Sequence, residues 1–307
     1  MPDIELRFHK DMLVFSSPVD EVLFLQGFGT GNGVSAGDIE YADLVEPEAI
    51  KEALRMNTVA GAQCLVAPCA SITPARLRAC GLEDRGSEIV RNALKVTRSL
   101  TPQHTLVEIA PCGLPLDPSS KNSLNEHRDQ YARAARFCAN EVFDAYFLNG
   151  FKNPTDLKCA LMGLRQITDA PIVASVDVDD KGLLADGRHE FVEALEVMGE
   201  YGATVAGFAT PGLPSVAARL TDEAVAALPL PVLAQLVVKK VNPRQGEMTK
   251  DNPYYTPDVL IGAATELRAH GVQFLRAAGH ATPAFTSALV AATAGFDVAR
   301  SDVDSEA

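Results

Sequence analysis

Short apolar segments alternate with longer amphipathic segments along most of the chain. The apolar segments are rich in β-branched residues, and continuous apolar runs of this length are typical of strands in a parallel sheet that is buried on both faces. The pattern predicts eight strands, at residues 22–27, 64–69, 104–111, 145–150, 171–178, 203–209, 231–238 and 274–279.

The segments between these strands have the apolar spacing expected of amphipathic helices. They predict helices at residues 47–61, 85–99, 124–143, 154–167, 190–201, 214–227, 257–270 and 283–294. Several begin with a proline, as at Pro47, Pro154 and Pro283, where the missing N–H costs nothing and the fixed φ suits the first helical turn.

Eight strands that alternate with helices of comparable length predict an α/β protein with the (β/α)8 TIM barrel fold. A doubly wound open sheet is the alternative, and the eightfold repeat favours closure. At 307 residues the chain has the length of one barrel domain, so we expect residues 1–307 to form a single domain. A short N-terminal extension at 1–20 and an acidic C-terminal tail at 297–307 would flank the repeats.

The net charge of −13 argues against a nucleic-acid partner, because phosphate binding requires clustered lysine and arginine. No apolar run reaches the length of a membrane span, and the first residues lack the pattern of a signal peptide. The six cysteines include no CxxC spacing, which favours reduced thiols. We therefore expect a cytoplasmic protein with no membrane or nucleic-acid partner, and a homo-oligomer is compatible with the sequence.

The carboxyl ends of barrel strands carry the functional residues of this fold. Asp177 and His280 are the candidate catalytic residues there. Asp177 would share the inward face of its strand with Ser175, and a carboxylate in that position is an acid, a base or a cation ligand, or else caps the following loop. His280 precedes the last helix and is suited to acid–base chemistry at neutral pH, or else is satisfied by a nearby carbonyl. We expect both side chains to face one cavity at the barrel mouth.

Other polar residues at predicted strand ends are candidates for substrate binding. They are Glu108, Asn149, Thr210, Gln235 and, in the glycine-rich loop after the first predicted strand, Gly27, Gly29 and Thr30. The glycine spacing of that loop differs from a dinucleotide fingerprint, and no helix follows it directly, so the loop is interpreted as a flexible approach to substrate.

The chain resembles the homocysteine S-methyltransferase family along most of its length. The similarity rests on the opening LQGFGT turn, the AGA sequence at 60–62, the DDKG sequence at 179–182, the GFAT sequence at 207–210, and Thr282-Pro283, which opens the last helix. The resemblance implies a TIM barrel that transfers methyl groups.

The departures from the family pattern concern its zinc and substrate ligands. The resemblance places the zinc cysteines at Thr210, Ala278 and Gly279, the strand 1 aspartate at Leu25, and the glutamate that holds the homocysteine amine at Asn149. Zinc needs thiolate, imidazole or carboxylate ligands, so we expect the protein to purify without stoichiometric zinc. With Asn149 in place of the glutamate, the homocysteine amine loses a charge-assisted partner, so we also expect weak homocysteine binding.

Cys69 and Cys112 offer an alternative metal site, because they end adjacent predicted strands and His280 or Asp177 could supply a third ligand. The other interpretation is that both cysteines are small, buried core residues.

These observations lead to two hypotheses of different kinds. The first is a divergent methyltransferase that moves a methyl group from or to a small molecule other than homocysteine, with a corrinoid protein as a possible partner and no cofactor of its own. The second is a barrel without catalysis that binds a small molecule or a partner. Convergence of Glu108, Asn149, Asp177 and His280 in one pocket would favour the first.

Overall fold

The computed structural model describes residues 3–29, 33–240 and 245–299. Eight parallel strands form one sheet in the order β1-β8-β7-β6-β5-β4-β3-β2. An isolated parallel bridge between Phe15 and Cys64 joins its two ends. The predicted (β/α)8 TIM barrel is therefore confirmed, and the open-sheet alternative is excluded.

The strands are short and the helices lie between them in chain order. The strands are β1 Leu13–Val14, β2 Cys64–Ala67, β3 His104–Ile109, β4 Ala145–Phe151, β5 Ile172–Asp177, β6 Val205–Thr210, β7 Val232–Val238 and β8 Phe274–Gly279. The helices are α1 Asp20–Leu25, α2 Ala36–Val45, α3 Pro47–Val59, α4 Pro74–Ala79, α5 Gly86–Ser99, α6 Lys121–Cys138, α7 Pro154–Arg165, α8 Phe191–Glu200, α9 Pro214–Ala227, α10 Val259–Ala269 and α11 Pro283–Thr293.

The prediction for the first strand was wrong. Residues 22–27 lie in α1 and the turn that follows it, while β1 is the pair Leu13–Val14, inside the segment expected to be an extension. A short apolar run does not by itself distinguish a strand from one turn of buried helix. The error matters because α1 and α2, inserted between β1 and α3, form one wall of the site described below.

An apolar cluster fills the lower part of the barrel lumen. It includes Phe15, Phe147 and Phe274, and the Phe15 ring meets each of the other two edge to face at a centroid separation of 5.6 Å. Side chains two residues apart in a strand share a face. On five strands, the residue two positions after the cluster residue also faces the lumen and is polar. The pairs of cluster residue and polar residue are Leu106 and Glu108, Phe147 and Asn149, Val173 and Ser175, Leu233 and Gln235, and Phe274 and Arg276.

The chain continues past α11 to contact the N-terminal segment. Asp297 pairs with Asp11 in an antiparallel bridge, and the Val298 amide donates to the carbonyl oxygen of Lys10 at 2.6 Å. Residues 300–307 of the predicted tail lie outside the described part of the chain.

Candidate functional site

A cavity of about 460 Å³ opens at the carboxyl ends of the strands, between the barrel and the α1–α2 insertion. Seven of its lining side chains can carry charge. They are Asp20, Glu21, Glu40, Glu108, Lys240, Arg276 and His280. The site lies where the barrel fold predicts it, and carboxylates are the most numerous of its charged groups.

A continuous hydrogen-bonded layer forms the floor of the cavity. The Asn149 amide donates to Glu108 Oε1 at 2.7 Å, and the Gln235 amide donates to Asn149 Oδ1 at 2.8 Å and to Ser175 Oγ at 2.7 Å. Arg276 donates to Gln235 Oε1 at 3.3 Å and to Glu108 Oε2 at 3.4 Å. These five side chains, which we call the polar layer, come from five different strands and satisfy one another.

Arg276 is the charged centre of the polar layer and is only 3% exposed. Its Nε donates to the carbonyl oxygen of Ser16 at 3.1 Å, and its guanidinium lies over the Phe147 ring at 5.1 Å from the centroid. A buried guanidinium needs such compensation, since removing a charge from water costs several kcal/mol. Glu108, Asn149 and Gln235, which the sequence predicted as substrate-binding residues, therefore lie together beside an arginine.

The α1–α2 wall holds carboxylates that have far fewer partners. Glu40 in α2 is 1% exposed; its Oε1 accepts from the Ser71 amide at 2.8 Å, while its Oε2 has no hydrogen-bond partner among the described residues. Burial raises the pKa of the Glu40 carboxyl from 4.5 to about 7. Burial also raises the pKa of Asp20. These groups and Asp43 behind them form what we call the carboxylate wall.

Asp43 does not line the cavity but lies next to Glu40 in the fold. It is fully buried, and neither of its carboxylate oxygens has a hydrogen-bond partner in the described residues. Burial and, after it, the charge of Glu40 raise the pKa of Asp43 well above its ordinary value. The pair can therefore hold protons at neutral pH, because two desolvated acids cannot both ionise at low cost.

His280 lies at the rim of the cavity, where its side chain is 49% exposed and its Nδ1 pairs with Glu21. Asp177 occupies the lumen face of β5 as predicted, and burial raises its pKa against the opposing effect of Lys152. Asp177 is not among the residues that line this cavity. The expectation that Asp177 and His280 face one cavity therefore does not hold.

Thr210, Gly27 and Gly29 also lie away from the cavity lining. Thr210 faces the helices and its hydroxyl accepts from the Gly212 amide at 3.2 Å. Gly27 and Gly29 follow α1, and a Cβ on Gly29 would lie 2.3 Å from the Gly33 carbonyl oxygen. Thr30 lies outside the described residues. Of the glycines that the structure describes in this loop, Gly33 lines the cavity.

The positions that correspond to the family's zinc cysteines do not fit a zinc ion. Ala278 and Gly279 have no ligand atom in their side chains, and the Thr210 hydroxyl is turned toward the backbone. Gly279 has φ of +67°, and a Cβ there would lie 2.5 Å from the Val238 carbonyl oxygen. The backbone at this point therefore leaves no room for a cysteine side chain.

A second group of polar side chains lies outside the cavity. Cys112 Sγ, His127 Nδ1 and Asp156 Oδ1 lie within 4.8 Å of one another, and in the described residues no other group of three such ligands converges. Cys69 is instead buried and its thiol faces the Ala67 carbonyl at 3.7 Å. The predicted combination of Cys69 and Cys112 with His280 or Asp177 is therefore not the one that the fold assembles.

These features define a class, a (β/α)8 barrel with an acid-rich pocket at the carboxyl ends of its strands. Residues 30–280 match the homocysteine S-methyltransferase family, and the chain belongs to that family. A comparison with curated protein sequences found no match. No helix among the described residues is long and apolar enough to cross a membrane.

Solved structures with the same fold include the homocysteine methyltransferase MmuM from Escherichia coli. Its metallated form is 15% identical with a TM-score of 0.74, over 92% of this chain and 96% of that chain. Its oxidized form is 16% identical with a TM-score of 0.73 over the same shares. The complete multifunctional pyruvate carboxylase from Rhizobium etli is more distant, at 12% identity and a TM-score of 0.51 over 90% of this chain and 23% of that one.

The sequence did not point to Arg276, Asp20 or Glu40. Arg276 interrupts the otherwise apolar run FLRAAG, and a charged residue inside a predicted inner strand was the signal available for it. Asp20 and Glu40 carried no such signal, because acids are ordinary on helices and the insertion that buries them was not predicted. Their role depends on burial, which only the fold reveals.

Proposed function

We propose that this protein is a methyltransferase that takes a methyl group from a small cationic donor and passes it to an acceptor other than homocysteine, without zinc. The observation that carries the proposal is the carboxylate wall, in which Glu40 is buried at the cavity and one of its oxygens has no partner among the described residues. Membership of a methyltransferase family supports the reaction type.

The charge balance of the cavity supports a cationic donor. Arg276 is neutralised by Glu108, and His280 pairs with Glu21. Lys240 also lines the cavity, but among the described residues no cationic side chain lies within ion-pair distance of Asp20 or Glu40. A methyl group on a sulfonium or quaternary ammonium centre is both electrophilic and positively charged, so the wall would bind the group that reacts.

A carboxylate would activate the acceptor by removing its proton. A thiol near its ordinary pKa of about 8.5 is mostly protonated at neutral pH and a poor nucleophile. Glu40, with a pKa of about 7, is matched to accept that proton near neutrality. The acceptor then attacks the methyl carbon as the donor leaves neutral, and the proton remains on Glu40 until it exchanges with water.

The test uses a panel of isotopically methylated sulfonium and quaternary ammonium compounds, with small thiols and cob(I)alamin as acceptors and mass spectrometry as readout. We expect transfer from at least one donor in the wild type and loss of transfer in Glu40→Gln. Glu48→Gln, at an exposed position in the neighbouring helix, is the matched control and should retain transfer.

Tight binding of a cationic compound without transfer to any acceptor would instead support the barrel that only binds. Three of the four side chains whose convergence was to separate the hypotheses, Glu108, Asn149 and His280, do line one cavity, while Asp177 does not. That convergence supports catalysis over binding alone. If the protein neither binds any cation of the panel nor transfers a methyl group from one, the proposal is contradicted altogether.

A further inference from the structure

Three potential metal ligands converge between the β3–α6 loop, α6 and α7. Cys112 follows β3, His127 lies in α6 and Asp156 lies in the first turn of α7. Cys112 and His127 are each 1% exposed, while the Asp156 side chain is 15% exposed. None of the three lines the cavity, so the group is distinct from the site described above.

The separation of the sulfur and nitrogen atoms matches that of two ligands around one ion, and the oxygen lies close to its ligating distance. Zinc bonds of about 2.3 Å to sulfur and about 2.0 Å to nitrogen place the two ligand atoms about 3.5 Å apart at a tetrahedral angle. Cys112 Sγ lies 3.5 Å from His127 Nδ1. Asp156 Oδ1 lies 2.9 Å from the same nitrogen, so this oxygen would move outward by about 0.4 Å to ligate.

The surroundings of His127 are those of a metal-binding histidine. Its Nε2 contacts the Pro115 carbonyl oxygen at 3.3 Å, which leaves Nδ1 directed at the thiol and the carboxylate. Ligating histidines usually donate their second N–H to a carbonyl or carboxylate, which fixes the ring. Tyr131 supports the other two members, since its hydroxyl donates to Asp156 Oδ1 at 2.9 Å and accepts from the Cys112 amide at 3.0 Å.

We propose that Cys112, His127 and Asp156 form a binding site for a divalent ion of the zinc class. Thiolate, imidazole and carboxylate together suit zinc better than they suit magnesium or calcium, which prefer oxygen ligands alone. The ion enters from the Asp156 side, and a water molecule completes its coordination there. Binding releases the Cys112 thiol proton and the proton on His127 Nδ1, and it links the β3–α6 loop to α6 and α7.

The proposal runs against the expectation that the protein purifies without stoichiometric zinc, which was drawn from Thr210, Ala278 and Gly279 at the family's cysteine positions. It does not rest on methyl transfer and can fail or succeed independently of it. Without metal, the same side chains form a buried ion pair of His127 and Asp156 beside a thiol. The experiment must therefore separate a metal site from a hydrogen-bonded cluster.

The full-length protein is freed of metal with a chelator and titrated with Co²⁺. We expect one equivalent to bind per chain, with a thiolate-to-cobalt charge-transfer band and visible bands of tetrahedral intensity, both abolished by zinc. Cys112→Ser should lose the charge-transfer band, and Asp156→Asn should weaken binding at least about tenfold, since even outer partners of metal ligands contribute that much.

Cys69→Ala and Cys80→Ser are the matched controls, one buried and one exposed, and both should bind as the wild type does. Substoichiometric binding, or a charge-transfer band that survives Cys112→Ser and disappears in either control, would overturn the proposal. Should Cys112→Ser fail to fold, X-ray absorption of the zinc-loaded wild type decides: one sulfur neighbour at about 2.3 Å is expected, and none or several would refute the site.

Discussion

The polar layer and the carboxylate wall both contribute side chains to the same cavity but are built in opposite ways. In the polar layer, each of the five side chains donates to or accepts from another member, and the one cation, Arg276, has its anion in Glu108. In the wall, Glu40 and Asp43 are equally buried, yet three of their four carboxylate oxygens have no partner among the described residues.

The difference separates a part of the site whose polar groups are satisfied from a part whose buried acids lack partners among the described residues. A buried network stabilises only when its members are all satisfied, and the polar layer meets that condition. Unpartnered buried acids cost free energy, and such costs are concentrated at functional sites. We therefore expect the polar layer to hold the cavity in shape, and under the proposed function the wall would supply its reactivity.

Breaking the polar layer should produce the largest loss of stability. Arg276→Met removes the buried cation and leaves Glu108 as an uncompensated charge, which we expect to lower the free energy of unfolding by about 3–5 kcal/mol. Urea unfolding at pH 7 measures it. Arg133→Met, which breaks the exposed pair with Glu126, is the control and should cost less than about 1 kcal/mol. Equal effects would mean that the layer is not a stabilising network.

Replacing Glu40 in the carboxylate wall should instead increase the free energy of unfolding above neutral pH. The pKa of Glu40 is higher in the folded state than in the unfolded chain, so its favourable contribution is present below about pH 4.5 and is lost as the pH rises through about 7. Glu40→Gln keeps an oxygen for the Ser71 amide and removes this dependence. At pH 8 we expect the variant to be more stable than the wild type by up to about 3 kcal/mol, measured by unfolding at several pH values. A destabilised variant at pH 8 would contradict the assignment.

The rate of methyl transfer should also depend on the ionisation of Glu40, but it should rise with pH where the stability contribution of this residue falls. If Glu40 is the base, the rate of methyl transfer rises as its carboxyl deprotonates, with a midpoint near pH 7. Glu40→Gln should lose about 100-fold or more in rate and should lose that limb of the profile. A stabilised variant that keeps the full rate and the same profile would assign the base to another residue, with Asp20 the next to test.

The fold and the floor of the site were predictable, whereas the wall was not. Apolar runs and strand ends located seven of the strands, and with them Glu108, Asn149 and Gln235. The first strand is two residues long, and the nearby apolar run at 22–27 has the same local signal although it forms a helix. Pairings such as Arg276 with Glu108 join residues 168 positions apart, and a local pattern contains no trace of them.

The closed backbone at β8 permits a test of the missing zinc ligands. Gly279→Cys must place a Cβ against the Val238 carbonyl oxygen in a left-handed conformation, so we expect a loss of about 1–3 kcal/mol. Ala278 already carries a Cβ, so Ala278→Cys should lower the free energy of unfolding by less than about 1 kcal/mol. The two variants are compared by thermal unfolding in the presence of a chelator. A Gly279→Cys protein as stable as Ala278→Cys would show that this backbone can accept the family cysteine.

The smallest effect on stability and on transfer is expected at Asp177. It tests whether the reactive part of the site extends beyond the carboxylate wall. The sequence predicted a catalytic role for this residue, but its side chain does not line the cavity. Burial raises its pKa, with Lys152 nearby to oppose the shift, so Asp177→Asn relieves a desolvation cost at neutral pH. We expect the variant to unfold at a slightly higher urea concentration than the wild type. Its rate of methyl transfer should stay within about threefold of the wild-type rate, since the loss of a general acid or base has a far larger effect. Asp177→Asn and Glu40→Gln are compared in the same transfer assay. A loss at Asp177 as large as that at Glu40 would extend the reactive part of the site across the mouth to β5 and would restore the role that the sequence assigned to this aspartate.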